Sequence, residues 1–429
     1  MILRSGCPLR VFTAKSHPAA ILKIFRHAAQ TSVLRKKAKR VPSWCIPLTD
    51  PGLRWVDVWL PFLKIFNRPM AALLSHQRYG RIWAEWKKLL VKLDELPKEI
   101  RSQILPRHEG RLVYRCLGCE REFGIEELLY VCPECGQVFL IDDLNFNQLA
   151  QTTGAAWRRI FDYRKLLGIP ALKGIYRYHE FIGPVIPLEA VVYLGEGHTP
   201  VVKANSRLQE KVGLQFYFKN DGQNPSASFK DRGMASAFSY INMMVRAAKV
   251  SDVLAICAST GDTSAAAALY ASYLMPHIKS AVLLPHKKVT PQQLSQPLGS
   301  GATVFEIPGV FDDCMKVVEA LSENYHVALL NSKNAWRILG QESYCYEIAQ
   351  DFEYEVSHLA VVVPIGNAGN ITAIMSGFLK FYEAGVIEGL PKILGVQSEH
   401  ANPVYRYYLE PADPKRQFEP VTVKPSVAQ

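Results

Sequence analysis

The sequence predicts an α/β protein built on an open sheet, and three observations lead there. An apolar strand, a loop rich in Gly or Ser and then a helix recur at 213–244, 252–274 and 358–382. Between the last two, "IKSAVLLPHKKVTPQQLSQPLGSGATVFEIPG" alternates strand, helix and strand. The chain of 429 residues, 48% hydrophobic and 21% charged, has the composition of a globular protein and the length of two or three domains.

The net charge of +11 is concentrated at the start. Residues 1–49 hold ten Lys or Arg and no Asp or Glu, leaving 40 basic against 39 acidic groups elsewhere. The body therefore lacks the basic excess of a nucleic-acid binder, and nucleic acid is not expected as a partner. Residues 1–69 read as a basic N-terminal extension. Its Arg and Ser content without acids fits an organellar transit peptide, a disordered arm, or a start placed too early before Met70. Cytoplasmic location is the default, with organellar targeting left open. The longest apolar candidate, "WVDVWLPFLKIF" (55–66), is short and carries Asp57 and Lys64, so no membrane span is expected. Over 70–96, Trp83, Trp86, Leu89, Leu90 and Leu93 recur at helical spacing, making 70–110 a helical segment.

Residues 111–145 carry "CLGCEREFGIEELLYVCPECG". Cys116, Cys119, Cys132 and Cys135 form two CxxC pairs, each able to clamp one side of a tetrahedral ion. Two disulfides are the competing reading, and a reducing cytoplasm argues against them. Four thiolates leave no open coordination position, so the expected zinc is structural. Residues 146–192 connect this ribbon to a body running from 193 to 429.

In the body, "GLQFYFKND" reads as a strand, "NPSAS" as a turn and "FKDRGMASAFSYINMM" as a helix with Ser228 as N-cap and Asp231 three residues on. Lys230 then sits in the first helical turn, against the dipole and unfavourable for a merely structural cation. The same field, with burial, lowers an amine's pKa and favours the neutral form that makes a Schiff base. "STGDT" and "GNAGN" open the two later helices, and such loops offer unpaired N–H groups to anions. One suits a carboxylate and the other a phosphate.

"NPSASFKDRG", "ASTGDTSAAAA" and "PIGNAGNI" resemble the pyridoxal-phosphate enzymes of the tryptophan-synthase-β type, in the family's order, which implies that family's two-domain open-sheet α/β fold. Within that group the chain looks like the threonine synthases, from about Tyr193 onward, and the zinc ribbon resembles an appendage of some members. The resemblance implies that Lys230 carries pyridoxal 5'-phosphate and later exchanges a proton at Cα. Gly366, Asn367, Ala368, Gly369 and Asn370 would cradle the cofactor phosphate, and Ser259, Thr260, Gly261 and Thr263 would receive the substrate carboxylate. Asp262 stands where the family often has Asn facing the cofactor's phenolic oxygen. Either it accepts from a protonated phenol, or it caps the helix and faces away. In "LLNSKNAWRILGQESYCYEI", Asn331, Ser332 and Arg337 match the pattern that holds the phosphate of O-phosphohomoserine, a task that suits the planar guanidinium.

The implied reaction converts O-phospho-L-homoserine and water to L-threonine and phosphate. A cysteate-synthase-like enzyme acting on phosphoserine is the enzymatic alternative, and a non-catalytic protein binding zinc and pyridoxal phosphate is the other. A small phosphorylated amino acid is the expected partner, with a homodimer left open as the assembly. The resembling chains continue past the ending "FEPVTVKPSVAQ" and return to the large sheet, where a later Ser or Thr meets the cofactor's pyridine nitrogen. Ser426 comes too early for that task. The body is therefore expected to be incomplete at the C-terminus, to bind cofactor weakly and to be poorly soluble.

Overall fold

The computed structural model describes residues 2–4, 95–247, 253–259, 261–287, 289–325 and 327–409. The remainder of the basic extension, nearly all of the helix expected over 70–96, Thr260, Ser426 and the closing segment lie outside the described residues. The strands are β1 (Ile2–Arg4), β2 (Leu112–Cys116), β3 (Glu122–Gly124), β4 (Phe139–Asp143), β5 (Val201–Lys203), β6 (Phe216–Lys219), β7 (Val253–Ala258), β8 (Ile278–Pro285), β9 (Thr303–Ile307), β10 (Val327–Leu329), β11 (Leu359–Pro364) and β12 (Lys392–Val396). The helices that matter for the site are α1 (Gly154–Arg164), α2 (Lys230–Arg246), α3 (Asp262–Tyr273), α4 (Pro291–Gly299), α5 (Phe311–Asn324), α6 (Ala335–Gln341), α7 (Ser343–Asp351) and α8 (Gly369–Glu383).

Two open sheets carry the body, as the family resemblance implies. One runs β10-β7-β8-β9, all parallel, with Ala255 opposite Ser280 and Ala328. Its central strands are almost wholly buried, which a parallel sheet requires, and α3 and α5 pack against β7 and β8. The second sheet runs β12-β11-β1-β6-β5 and is mixed: β11 and β12 are parallel, while β1 is antiparallel to both β11 and β6. The first residues of the basic extension thus join the body's sheet, satisfying the main-chain groups of two strands.

The cysteine-bearing segment forms a third, antiparallel sheet, β3-β2-β4, whose β4 packs on α6. Residues 146–192 pack into the same core. Trp157 and Phe161 of α1 meet Phe181, and Phe161 stacks on Phe381 of α8 at 5.7 Å.

The site depends on how closely α2 approaches α6. A Cβ on Gly340 would lie 2.3 Å from the Arg232 carbonyl, and one on Gly233 would lie 2.9 Å from the Arg337 carbonyl. Only glycine at both positions permits this crossing. It brings the start of α2, with Lys230, beside α6, with Arg337.

Candidate active site

Lys230 is the first residue of α2, and its amine lies 4.1 Å from the centre of the Phe229 ring. Burial and the nearby Arg337 guanidinium push the amine down to about 8, against the pull of Asp262. The turn before it is built differently from the expected capping box. The Ser228 hydroxyl accepts from the Lys230 N–H at 3.3 Å, yet the helix is entered at Phe229, one residue later. Asp231 turns back to Ser226, accepting from its N–H at 2.7 Å and its hydroxyl at 2.8 Å. The carboxylate so fixes the whole "SASF" turn rather than one cap.

Behind the turn lies a buried ion network. Arg232 pairs with Asp221 at 2.7 Å and with Glu347 at 2.5 Å, and its guanidinium sits 4.4 Å from the Tyr344 ring centre. Lys219 reaches Glu347 at 2.9 Å and Asp351 at 2.8 Å. Burial would raise the Glu347 carboxyl, but Arg232 and Lys219 together hold it well below the usual range. Three stretches of chain, 219–221, α2 and α7, are tied behind Lys230 in this way.

In front of Lys230 a cavity is lined by Ser332, Arg337, Asn367, Gly369 and Asn370. Five residues expected at the site therefore meet the lysine. Phe229, Ile338 and Gln341 also line it and were not expected. Gln341 was within reach of the sequence, because it lies four residues after Arg337 and shares its helical face.

Arg337 is 3% exposed. Its Nη1 donates to the Leu330 carbonyl at 2.7 Å, while its Nε is buried without any partner. It makes no ion pair among the described residues, and burial pushes it down to about 10. Asn370 Oδ1 is likewise buried and unpartnered. A cavity walled by two cations and no carboxylate is built for an anion.

The glycine-rich loop reaches its helix through Ala368 at φ 65°, the left-handed region, and Asn367 Oδ1 accepts from Gly369 N–H at 3.2 Å. A Cβ on Gly366 would enter open space. The other loop meets Lys230 from the side. Asp262 accepts from the Ser228 hydroxyl at 3.0 Å, and Gly261, not Asp262, caps α3 without a side-chain bond. The carboxylate thus faces the lysine turn, which corrects the alternative of a helix cap facing away. Ser259 accepts from the Gly261 N–H at 3.2 Å, and Thr263 lies in the first turn of α3. Asn331 departs from expectation. Its Oδ1 accepts from Ala258 N–H at 3.0 Å and its Nδ2 donates to Ala258 O at 2.7 Å. The side chain holds the strand end that delivers Ser259, both ends of its amide being bonded to the Ala258 main chain.

The four ribbon thiols converge, all Sγ atoms lying within 4.8 Å of one another. Cys116 and Cys135 are 3.3 Å apart and Cys119 and Cys132 3.6 Å, too far for disulfides. All four are free, against the disulfide alternative. Among the described residues no helix is long and apolar enough to cross a membrane.

Residues 192–428 match the family described as pyridoxal-phosphate dependent enzymes. The chain belongs to that family. The chain is also similar to threonine synthase of Methanocaldococcus jannaschii, at 35% identity over 68% of this chain and 67% of the relative. Threonine synthase of Halalkalibacterium halodurans is 38% identical over 54% of this chain and 62% of the relative. A solved threonine synthase structure from Escherichia coli gives a TM-score of 0.47 at 20% identity, covering 69% of this chain and 66% of that one. The chain thus matches about two thirds or less of its curated relatives' length.

The residues present fit the family's cofactor. Lys230 offers an amine depressed toward neutrality, and the Gly366–Asn370 loop offers N–H groups at a helix mouth beside open space.

Proposed function

We propose that this pyridoxal-phosphate enzyme is a threonine synthase, converting O-phospho-L-homoserine and water to L-threonine and phosphate. The observation that carries the reading is Arg337, a buried guanidinium that has no counter-ion among the described residues and stands on the wall of the lysine cavity. A phosphorylated substrate supplies the missing anion, and the relatives named threonine synthase agree with it.

Lys230 would hold the cofactor, the Gly366–Asn370 loop its phosphate, and Asp262 would stand beside the Ser228 turn. When bound, the cofactor supplies an electron sink for the pair left at Cα. Lys230 then takes and returns the Cα proton, a task suited to an amine titrating near 8. The Ser259–Thr263 loop receives the substrate carboxylate at the mouth of α3, fixing which Cα–H faces the lysine. Arg337 and Ser332 hold the phosphate as its bond to Cγ breaks; one proton leaves Cβ and one is added at Cγ, and water adds its hydroxyl at Cβ while its proton goes to the departing phosphate. The four cysteines hold a structural zinc, since a filled tetrahedron of thiolates offers no site for substrate.

The test is phosphate release together with threonine formation, from O-phosphohomoserine and, in parallel, from O-phosphoserine. Threonine from the first substrate alone is expected. Turnover of phosphoserine alone would assign a cysteate-synthase-like activity, and release from neither would leave a non-catalytic binder.

A further inference from the structure

The cysteine-bearing sheet reaches the candidate phosphate site through one chain of side chains. Tyr114 lies on β2, two residues before Cys116, and is 1% exposed. Its hydroxyl accepts from Trp336 Nε1 at 3.0 Å. Trp336 stacks on Tyr240 of α2, with ring centres 4.2 Å apart and planes 14° from parallel. The Tyr240 hydroxyl in turn donates to the Ile125 carbonyl at 2.6 Å, back in the cysteine-bearing segment. Trp336 therefore sits in a box with Tyr114 of that segment on one side and Tyr240, itself tied to the segment, on the other. The next residue is Arg337.

Helix α6 has only seven residues, two turns, and is too short to hold its own orientation. Its rotation about its axis is fixed by what each face meets. Gly340 lies on the Arg232 carbonyl, Arg337 and Gln341 face the cavity, and Trp336 enters the box. Successive residues are about 100° apart around a helix. Releasing Trp336 therefore lets the helix turn, and Arg337 moves with it.

We propose that Tyr114 is a positioning residue for phosphate recognition, holding Arg337 in register through its hydrogen bond to Trp336. The inference rests on Arg337 being the phosphate-binding group. It gives the cysteine-bearing sheet a role in substrate affinity beyond stability: a metal-bound scaffold fixes Tyr114, and Tyr114 fixes the arginine.

The experiment compares Tyr114→Phe and Arg337→Gln with the parent chain, residues 1–429, loaded with zinc and pyridoxal phosphate. Inorganic phosphate binding is measured by calorimetry, alongside KM and kcat for O-phosphohomoserine. Tyr114→Phe removes one oxygen and leaves the indole N–H unpaired. The phosphate Kd and the KM should both rise roughly tenfold, equivalent to about 1.4 kcal/mol, with kcat within about twofold. Binding of L-threonine, which carries no phosphate, should be unchanged. Tyr240→Phe, which keeps the stack and loses the bonds to the Ile125 and Glu127 carbonyls and to the Tyr114 hydroxyl, should move phosphate affinity in the same direction. It also serves if Tyr114→Phe fails to fold. A lower melting temperature with unaltered phosphate Kd would make Tyr114 merely structural and overturn the proposal. If Arg337→Gln weakens phosphate and Tyr114→Phe does not, the coupling fails while the reading of Arg337 stands. If neither weakens it, both fall.

Discussion

Replacing Arg337 by methionine should make the protein more stable and a worse binder at once. The guanidinium is pushed from its ordinary 12.5 to about 10 by burial. A tenfold change in an ionisation equilibrium is about 1.4 kcal/mol, so keeping this group charged in the fold costs on the order of 3 kcal/mol. The sign follows directly: a cation whose folded pKa is depressed destabilises the fold at every pH below its unfolded value, pH 7 included. Against that stands its hydrogen bond to the Leu330 carbonyl, worth about 1.5 kcal/mol. Methionine fills similar space without charge, so the net gain is roughly 1–2 kcal/mol, a rise in Tm of about 1–3 °C for a chain of this size. Losing a forked, charge-assisted pair with phosphate removes roughly 3–4 kcal/mol, a factor of about 10² to 10³ in affinity. Thermal melts with and without inorganic phosphate read both effects. Phosphate should raise the parent's Tm and leave the variant's unmoved. A variant that melts lower than the parent, yet still responds to phosphate, would refute both the energetics and the assignment.

Lys230→Ala should abolish covalent cofactor attachment. In the parent, the rate of reaction with the aldehyde should climb with pH through about 8, followed by absorbance. Arg232→Met leaves Asp221 buried without its cation and Glu347 with Lys219 alone, and should cost about 3–5 kcal/mol in denaturant melts. Because Glu347 and Asp221 are both held below their ordinary range, the network's contribution in the parent should persist above the unfolded carboxylate pKa and fade as the pH falls below it. Glu196 is the opposite case. Burial raises it to about 7, so its penalty grows as the pH climbs from about 4.5 to 7, and Glu196→Gln should raise the Tm at pH 8 but not at pH 4. Native mass spectrometry should find one zinc per chain, and replacing Cys116 and Cys132 by Ser should abolish its binding and lower the Tm.

The strand, loop and helix units were legible in the sequence because each rests on local periodicity and turn chemistry. Lys230 at its helix mouth, the two glycine-rich loops and the CxxC pairs needed only neighbours in the chain to be recognised. What the chain could not disclose is where side chains of distant segments point. Asn331 carries the right chemistry for a phosphate, yet the parallel pairing of β10 with β7 puts Ala258 against it and takes its amide. Asp231 was a plausible capping partner by spacing, but the fold of the turn gave it to Ser226. Asp262 had two readings until the approach of α3 to the lysine turn supplied the Ser228 hydroxyl. The Trp336 box joins residues more than two hundred positions apart, and no local pattern encodes such a contact. Sequence by itself determined the kinds of group available and the element each rides on. Tertiary structure decided which of them remain unpaired and face the cavity, because a buried polar group binds a ligand only if the fold has left it without a partner.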